Sequence, residues 1–170
     1  HLRTRRQRQM CIRDSSYSAG ALFLNQLEYI IGEEPFAKGM KRYWNRWQFK
    51  HPKPEDFLRV MEEVSDMELD WYLSYYKDQV KSIDYSVEEI RNDKSGAQIT
   101  LNRIGLFPMP IDLLITYESG RQERHTIPLI SMYGAKEESG LQTHKPWPWT
   151  HPEYQLLIPA TERVLSLIHI

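Results

Sequence analysis

Two hydrophobic periods divide the chain. From Tyr17 to about Val80 the apolar residues recur at helical spacing: Phe23, Leu24, Leu27, Ile30 and Ile31 fall on one stripe. Ala21 and Leu22 add apolar surface on a second side, which predicts a helix buried around much of its circumference. Gly32 is placed to stop it, because glycine tolerates the left-handed turn that ends helices. Phe36, Met40, Tyr43, Trp44 and Trp47 repeat the stripe, with Lys38, Lys41, Arg42 and Arg46 expected on the opposite face. The prolines of Lys50-His51-Pro52-Lys53-Pro54 then break the chain. Glu55 and Asp56 open a third helix, favoured there by the helix dipole, with Phe57, Leu58, Met61 and Val64 facing inward. Ser65 and Glu68 have the spacing of a capping box ahead of Leu69, Tyr72, Leu73 and Tyr76.

Beyond Lys81 the period becomes two. Ile83, Tyr85 and Val87 alternate with polar residues, as do Ala97, Ile99 and Leu101, then Ile111, Leu113, Ile115 and Tyr117. Ser119-Gly120 turns the chain toward His125, Ile127 and Leu129, and Tyr154, Leu156 and Ile158 form a last strand. Short strands separated by turn signals predict an antiparallel sandwich-type domain, with Lys77 to Ser82 as the boundary. The expected class is α+β: helices first, strands after.

The two ends alter the charge balance. Arg3, Arg5, Arg6, Arg8 and Arg13 make the N-terminus a basic arm, and Leu165 to Ile170 could pass for an apolar strand. Back-translated, however, residues 5–15 spell a transposase sequencing adapter and residues 165–170 the reverse complement of its end. Residues 1–15 and 165–170 are therefore read as translated adapter and set aside from fold reasoning. This leaves a helical unit at 16–81 and a β unit at 82–164. The whole chain has 22 basic and 23 acidic residues. Without the ends it has 17 and 22, and this net charge near −5 argues against nucleic acid as a partner. The single cysteine, Cys11, lies in the adapter stretch, so neither a disulfide framework nor a thiolate site is expected. No run of about 18 apolar residues is present to span a membrane as a helix.

Candidate chemistry is sparse. The sequence has no HExxH, no glycine-rich phosphate loop and no G-x-S-x-G. His51 and Glu55 have a tempting spacing, but Pro52 and Pro54 intervene and prevent a preformed helical ligand pair. His144 and His151 flank Trp147 and Trp149 and read as surface loop residues, and His125 reads as an ordinary strand residue. The cluster Tyr43, Trp44 and Trp47 reads as helix core rather than a ligand platform.

The segment from Ser16 to Trp47, with Tyr17, Gly20 and the step Ile31-Gly32-Glu33-Glu34-Pro35-Phe36, resembles the region that follows the zinc motif in aminopeptidase-N-like metallopeptidases of the gluzincin clan. Pro54 to Tyr76 is similar to the family's next helical segment, and Ile83 onward is similar to its β-sandwich domain. The resemblance implies the helical end of a thermolysin-like catalytic domain followed by an antiparallel β-sandwich-type domain. It implies a zinc-dependent aminopeptidase acting on peptide substrates, with zinc ligands outside this chain. Tyr17 matches the tyrosine that donates its hydroxyl to the tetrahedral oxyanion opposite the metal. It is the one catalytic residue expected here, and no metal-binding residue is expected. Ala19 stands where the family's Y-x-K-G has lysine. A non-catalytic relative or protein-binding module on the same scaffold is the alternative.

Overall fold

The computed structural model describes residues 18–78, 81–93, 96–159 and 162–169. Four helices come first: α1 (Ala19–Ile31), α2 (Glu33–Trp47), α3 (Pro54–Ser65) and α4 (Asp70–Asp78). Seven strands follow: β1 (Tyr85–Asn92), β2 (Ala97–Arg103), β3 (Ile111–Tyr117), β4 (Gln122–Ile127), β5 (Leu141–Thr143), β6 (Glu153–Ile158) and β7 (Val164–His169). The α+β class read from the sequence is the observed one.

The helices begin and end for the expected reasons, with one exception. Gly32 takes φ +92°, where its bare Cα lets the N–H bond back to Glu28 while the chain turns directly into α2. Pro54 opens α3, and the Asp56 carboxylate accepts the Lys53 N–H at 2.9 Å. The exception is the Ser65–Glu68 capping box, which does not form. Ser65 is the last residue of α3, and its hydroxyl donates back to the Met61 carbonyl at 2.8 Å. The N–H of Leu69, just before α4, is taken instead by the Glu62 carboxylate at 2.8 Å.

The buried stripes also differ from expectation in places. Leu27, Ile30 and Ile31 are fully buried, but Leu22 is half exposed, so α1 buries one face rather than most of its circumference. In α2 the inner stripe runs through Gly39, which sits against Met61 of α3, and Tyr43, whose ring meets Phe57 edge-on at 4.9 Å. That rotation turns Met40 and Trp44 outward, Trp44 to 67% exposure. It brings Arg46 and Arg42 beside Glu63 of α3 instead of onto a free face; Arg46 makes a two-pronged contact at 2.8 and 2.9 Å. Exposed pairs of this kind are screened by water and salt and add little to stability.

The strands form two sheets, one ordered β1-β2-β6 and the other β5-β4-β3-β7. Ala97, Ile99 and Leu101 of β2, Ile111, Leu113, Ile115 and Tyr117 of β3, and Leu156 and Ile158 of β6 pack between them, as their alternation predicts. A bulge between Val87 and Glu89 shifts the inward positions of β1, so that Ile90 takes over the buried face opposite Ile99. The pairings among these strands are antiparallel except β4 with β5, which is parallel, as is an isolated bridge between Leu129 and Trp147. Most of the stretch read as adapter, residues 165–169, lies in β7, which pairs along the edge of β3. A free strand edge accepts any extended apolar segment, so that pairing is independent of the segment's origin.

The two halves are not separate bodies. Phe107, Met109, Leu129 and Met132 from the β half join Leu27, Ile30, Leu58, Met61 and Tyr72 in one buried cluster. Gly105 makes the junction possible, since a Cβ there would lie 2.3 Å from the Ser82 carbonyl oxygen. Tyr85 ties both cores by donating to the Met109 carbonyl at 3.1 Å and accepting the Met109 N–H at 3.0 Å.

Candidate functional site

Tyr17, the expected catalytic residue, lies outside the described residues, as does the N-terminal arm. The structure does describe the element that follows Tyr17 directly. Ser18 is already helical (φ −70°, ψ −43°) and leads into α1 without a side-chain cap. On one flank α4 holds the first turns of α1: the Tyr76 hydroxyl donates to the Ala19 carbonyl, and the Tyr72 hydroxyl donates to the Phe23 carbonyl at 2.9 Å. Phe23 lies between the two rings, stacked on Tyr72 at 4.9 Å and edge-on to Tyr76 at 4.9 Å. Burial pushes both phenols above the usual tyrosine range, so they remain donors.

The far end of α1 is fixed to the sheet. Tyr29 donates its hydroxyl to the Pro110 carbonyl at 3.2 Å and accepts the Asp112 N–H at 2.9 Å, gripping the start of β3. Lys136 bonds to the Asp112 carboxylate and to the Tyr29 carbonyl at 3.0 Å, and its ammonium lies 4.3 Å from the Tyr29 ring centre. Lys136 is 6% exposed and Asp112 3%, so this is a buried ion pair. It borders an open cleft of about 370 Å³ between α1 and the sheet. Sequence reading missed it, because nothing in the order of residues links positions 29, 112 and 136.

The histidines fall differently from expectation. His51 is exposed, and Glu55, its candidate partner, faces Lys77 at 3.5 Å. His151 lies in its loop beside the Thr150 hydroxyl, while its carbonyl accepts the buried Trp147 indole N–H at 2.9 Å. His125 and His144, read separately as a strand residue and a surface residue, are in fact partners. Their Nδ1 and Nε2 atoms lie 2.8 Å apart with stacked rings, and His125 is 1% exposed. Burial, then the neighbouring His125, pushes His144 down to about 4. Burial also lowers His125, partly opposed by Glu123, whose Oε2 is 3.6 Å away.

Because the folded values lie below the unfolded value of about 6.5, the neutral pair contributes its full stability above that pH. The contribution is lost as pH falls from there toward 4. Urea unfolding of the chain is expected to show about 1 kcal/mol less stability at about pH 5.5 than at about pH 7.5. His144→Gln should flatten that slope; an unchanged slope would remove the histidine pair as its cause.

No zinc site can be assembled from the described residues. Catalytic zinc takes three nitrogen, sulfur or carboxylate ligands with an open fourth position. His125 and His144 spend facing nitrogens on each other and no third ligand joins them. The carboxylates of Glu62, Glu68 and Asp70 lie within 4.8 Å of one another, but Glu62 is committed to the Leu69 N–H. An all-oxygen set of this kind suits hard cations rather than zinc.

Comparison with known proteins places the chain. Residues 2–76 match the model of the peptidase family M1 domain. Glutamyl aminopeptidase of Sus scrofa is 34% identical over 76 residues, which cover 45% of this chain and 8% of that protein. Aminopeptidase N of Streptomyces lividans is 29% identical over 130 residues, 76% of this chain and 13% of that protein. Aminopeptidase N of Escherichia coli (strain K12) is 32% identical over 60 residues, 35% of this chain and 7% of that protein. The chain thus spans only a small share of the length of these relatives. The longer of these matches runs past the helices into the strands, consistent with the shared core that joins them. With the M1 domain model matched across its helical half and aminopeptidases aligned along it, the chain is similar to aminopeptidase-N-like peptidases of the M1 family.

Proposed function

We propose that the complete protein is a zinc-dependent aminopeptidase that removes N-terminal residues from peptides, with Tyr17 donating its hydroxyl to the oxyanion of the tetrahedral intermediate. The observation that carries this reading is the family match through residue 76, with Tyr17 immediately ahead of α1 and α1 fixed at both ends. A preorganised hydrogen-bond donor accelerates a reaction most where negative charge develops, and that is the role this reading gives Tyr17. Zinc and its ligands belong, on this reading, to parts of the protein beyond these residues. The test is hydrolysis of an aminoacyl reporter by the complete protein. It should be abolished by a chelator, restored by zinc, and absent on an N-terminally blocked peptide. The 170-residue chain alone should cleave nothing. A complete protein that binds no zinc and cleaves no free-amino reporter would leave the second reading, a non-catalytic relative or binding module, favoured by Ala19 in place of the family's lysine.

Gly20 supports the catalytic reading from a different direction. It lies in the first turn of α1, and a Cβ built there meets nothing within 4 Å. Among the described residues alanine would fit, and it would favour the helix by about 0.5–1 kcal/mol. On the catalytic reading, substrate or the metal-bearing part of the protein approaches the helix at this point. Gly20→Ala is expected to raise the chain's thermal midpoint slightly while lowering turnover of the complete enzyme severalfold. Full activity in that variant would show that nothing comes close at this point.

A further inference from the structure

β5 is lightly held. It has three residues, lies at the edge of its sheet and pairs with β4 in parallel, from Arg124↔Leu141 to Thr126↔Thr143. None of its side chains is buried, so apolar packing does little to keep it in place. The stretch around it has firm ends. On one side Lys136 is bound to Asp112 and to the Tyr29 carbonyl. On the other the Trp147 N–H donates to the Pro128 carbonyl at 2.7 Å, and Trp147 is buried. Between these ends, the strand ladder is supplemented by the His144 N–H, which donates to the Thr126 carbonyl at 2.9 Å, and by two side-chain contacts with β4. Arg124 with Glu138 is open to water and adds little. The contact of His144 with the buried His125 is the other.

The geometry points to an acid-sensitive latch: with both rings neutral the His125–His144 pair holds β5 against β4, and proton uptake releases residues 137–146 while the rest of the sandwich stays folded. Nδ1 of His125 and Nε2 of His144 lie 2.8 Å apart, so one carries a hydrogen and the other must be bare to accept it. Charging one ring places a cation where His125 is shielded from water. Charging both puts a hydrogen on every ring nitrogen, and the contact is lost. The groups around the pair do not relieve this. Glu123, on the same face of β4, comes within 3.6 Å of His125 Nε2, but its carboxylate already accepts the Tyr117 hydroxyl at 2.5 Å and pairs with Arg121. Strand alternation puts Arg124, paired with Glu138, on the opposite face of β4. Leu113 of β3 stands opposite His125, and Tyr154 of β6 meets the stretch through the Lys145 carbonyl at 2.7 Å. Lys145 itself adds a positive charge beside His144. Burial accordingly holds both histidines below their ordinary value, His144 at about 4. Above about pH 6.5 the latch is neutral and closed; as pH falls from there toward 4, the released form takes up protons that the latched form resists.

The experiment is hydrogen–deuterium exchange of the 170-residue chain at about pH 7 and about pH 5, corrected for the chemical exchange rate. A group that titrates near 6.5 when released and near 4 when latched makes opening about twentyfold more frequent over that step. Protection of the Leu141 to His144 amides should fall by that factor, while the amides of β3 keep theirs. Titration of the ring protons by NMR should show His144 charging well below 6.5 in the folded chain. His144→Gln should reduce the acid step in β5 to about threefold or less. Protection that falls equally in β3 and β5 overturns the latch, since acid is then unfolding the whole chain. So does unchanged protection in β5, an undiminished step in His144→Gln, or a His144 that charges near 6.5. Should His144→Gln not fold, the ring titration and the two-pH exchange of the parent chain decide by the same criteria.

Discussion

Tyr17→Phe in the complete enzyme is expected to reduce turnover by about a hundredfold to a thousandfold, the loss that follows removal of one oxyanion donor, about 3–4 kcal/mol. The ground-state carbonyl is a weak acceptor, and the tetrahedral oxyanion is a strong one. A phenol placed for the second therefore contributes little to substrate binding and much to the barrier. KM should stay within about threefold while kcat falls, the signature of an interaction made only in the transition state. Phenylalanine retains the ring, so whatever packing Tyr17 makes is preserved, and zinc content and thermal midpoint should match the unaltered enzyme. Steady-state kinetics on an aminoacyl reporter, with metal analysis of the same preparations, checks both halves of the expectation. Turnover within a few-fold of the parent would remove Tyr17 from the chemistry.

Much of the fold could be read from periodicity, because much of it is local. The α1 stripe of Leu27, Ile30 and Ile31 is buried as spaced, Gly32 ends the helix, and the alternation in β2, β3 and β6 faces the sandwich core. What escaped was long-range. Trp44 has the spacing of a core residue, yet the close approach of α3 at Gly39 rotates it into solvent. Ser65 has the spacing of a cap, yet its hydroxyl finds the Met61 carbonyl within its own helix, and Glu62 serves the next helix in its place. The change of period near Lys81 marks a change of secondary structure, but Phe107 and Met109 cross it and complete the helical core. The candidate site divides in the same way. A motif of adjacent residues points to Tyr17, whereas the tyrosines that steady its helix lie 49 and 57 positions from their acceptors and carry no sequence signature. The His125–His144 pair, 19 positions apart across a parallel strand contact, was hidden for the same reason.

The attachment of α1 to the sheet should be the most sensitive point of the scaffold, and the sensitivity should be lopsided. Lys136→Met keeps the aliphatic stem but withdraws the one charge of opposite sign bonded to Asp112 among the described residues, leaving a carboxylate 3% exposed without its partner. Breaking a buried pair from one side typically costs about 3–5 kcal/mol, because the remaining ion stays desolvated. That is a large part of the 5–15 kcal/mol or so that holds a typical domain together. Asp112→Asn should cost clearly less. The ammonium it leaves behind still donates to the Tyr29 carbonyl, lies over the Tyr29 ring and has Glu138 at 3.8 Å. Replacing both, as Lys136→Met with Asp112→Leu, should recover most of the loss, since an apolar pair of similar volume carries no desolvation cost. Urea unfolding of the parent, Lys136→Met, Asp112→Leu and their double variant gives the cycle directly, with Asp112→Asn measured beside them. A Lys136→Met variant within about 1 kcal/mol of the parent would mean that water reaches Asp112 and that the ion pair does not hold the junction. A large loss in that variant, relieved in the double, would establish that the helix behind Tyr17 is anchored to the sheet by one buried charge pair whose cost falls almost entirely on the carboxylate.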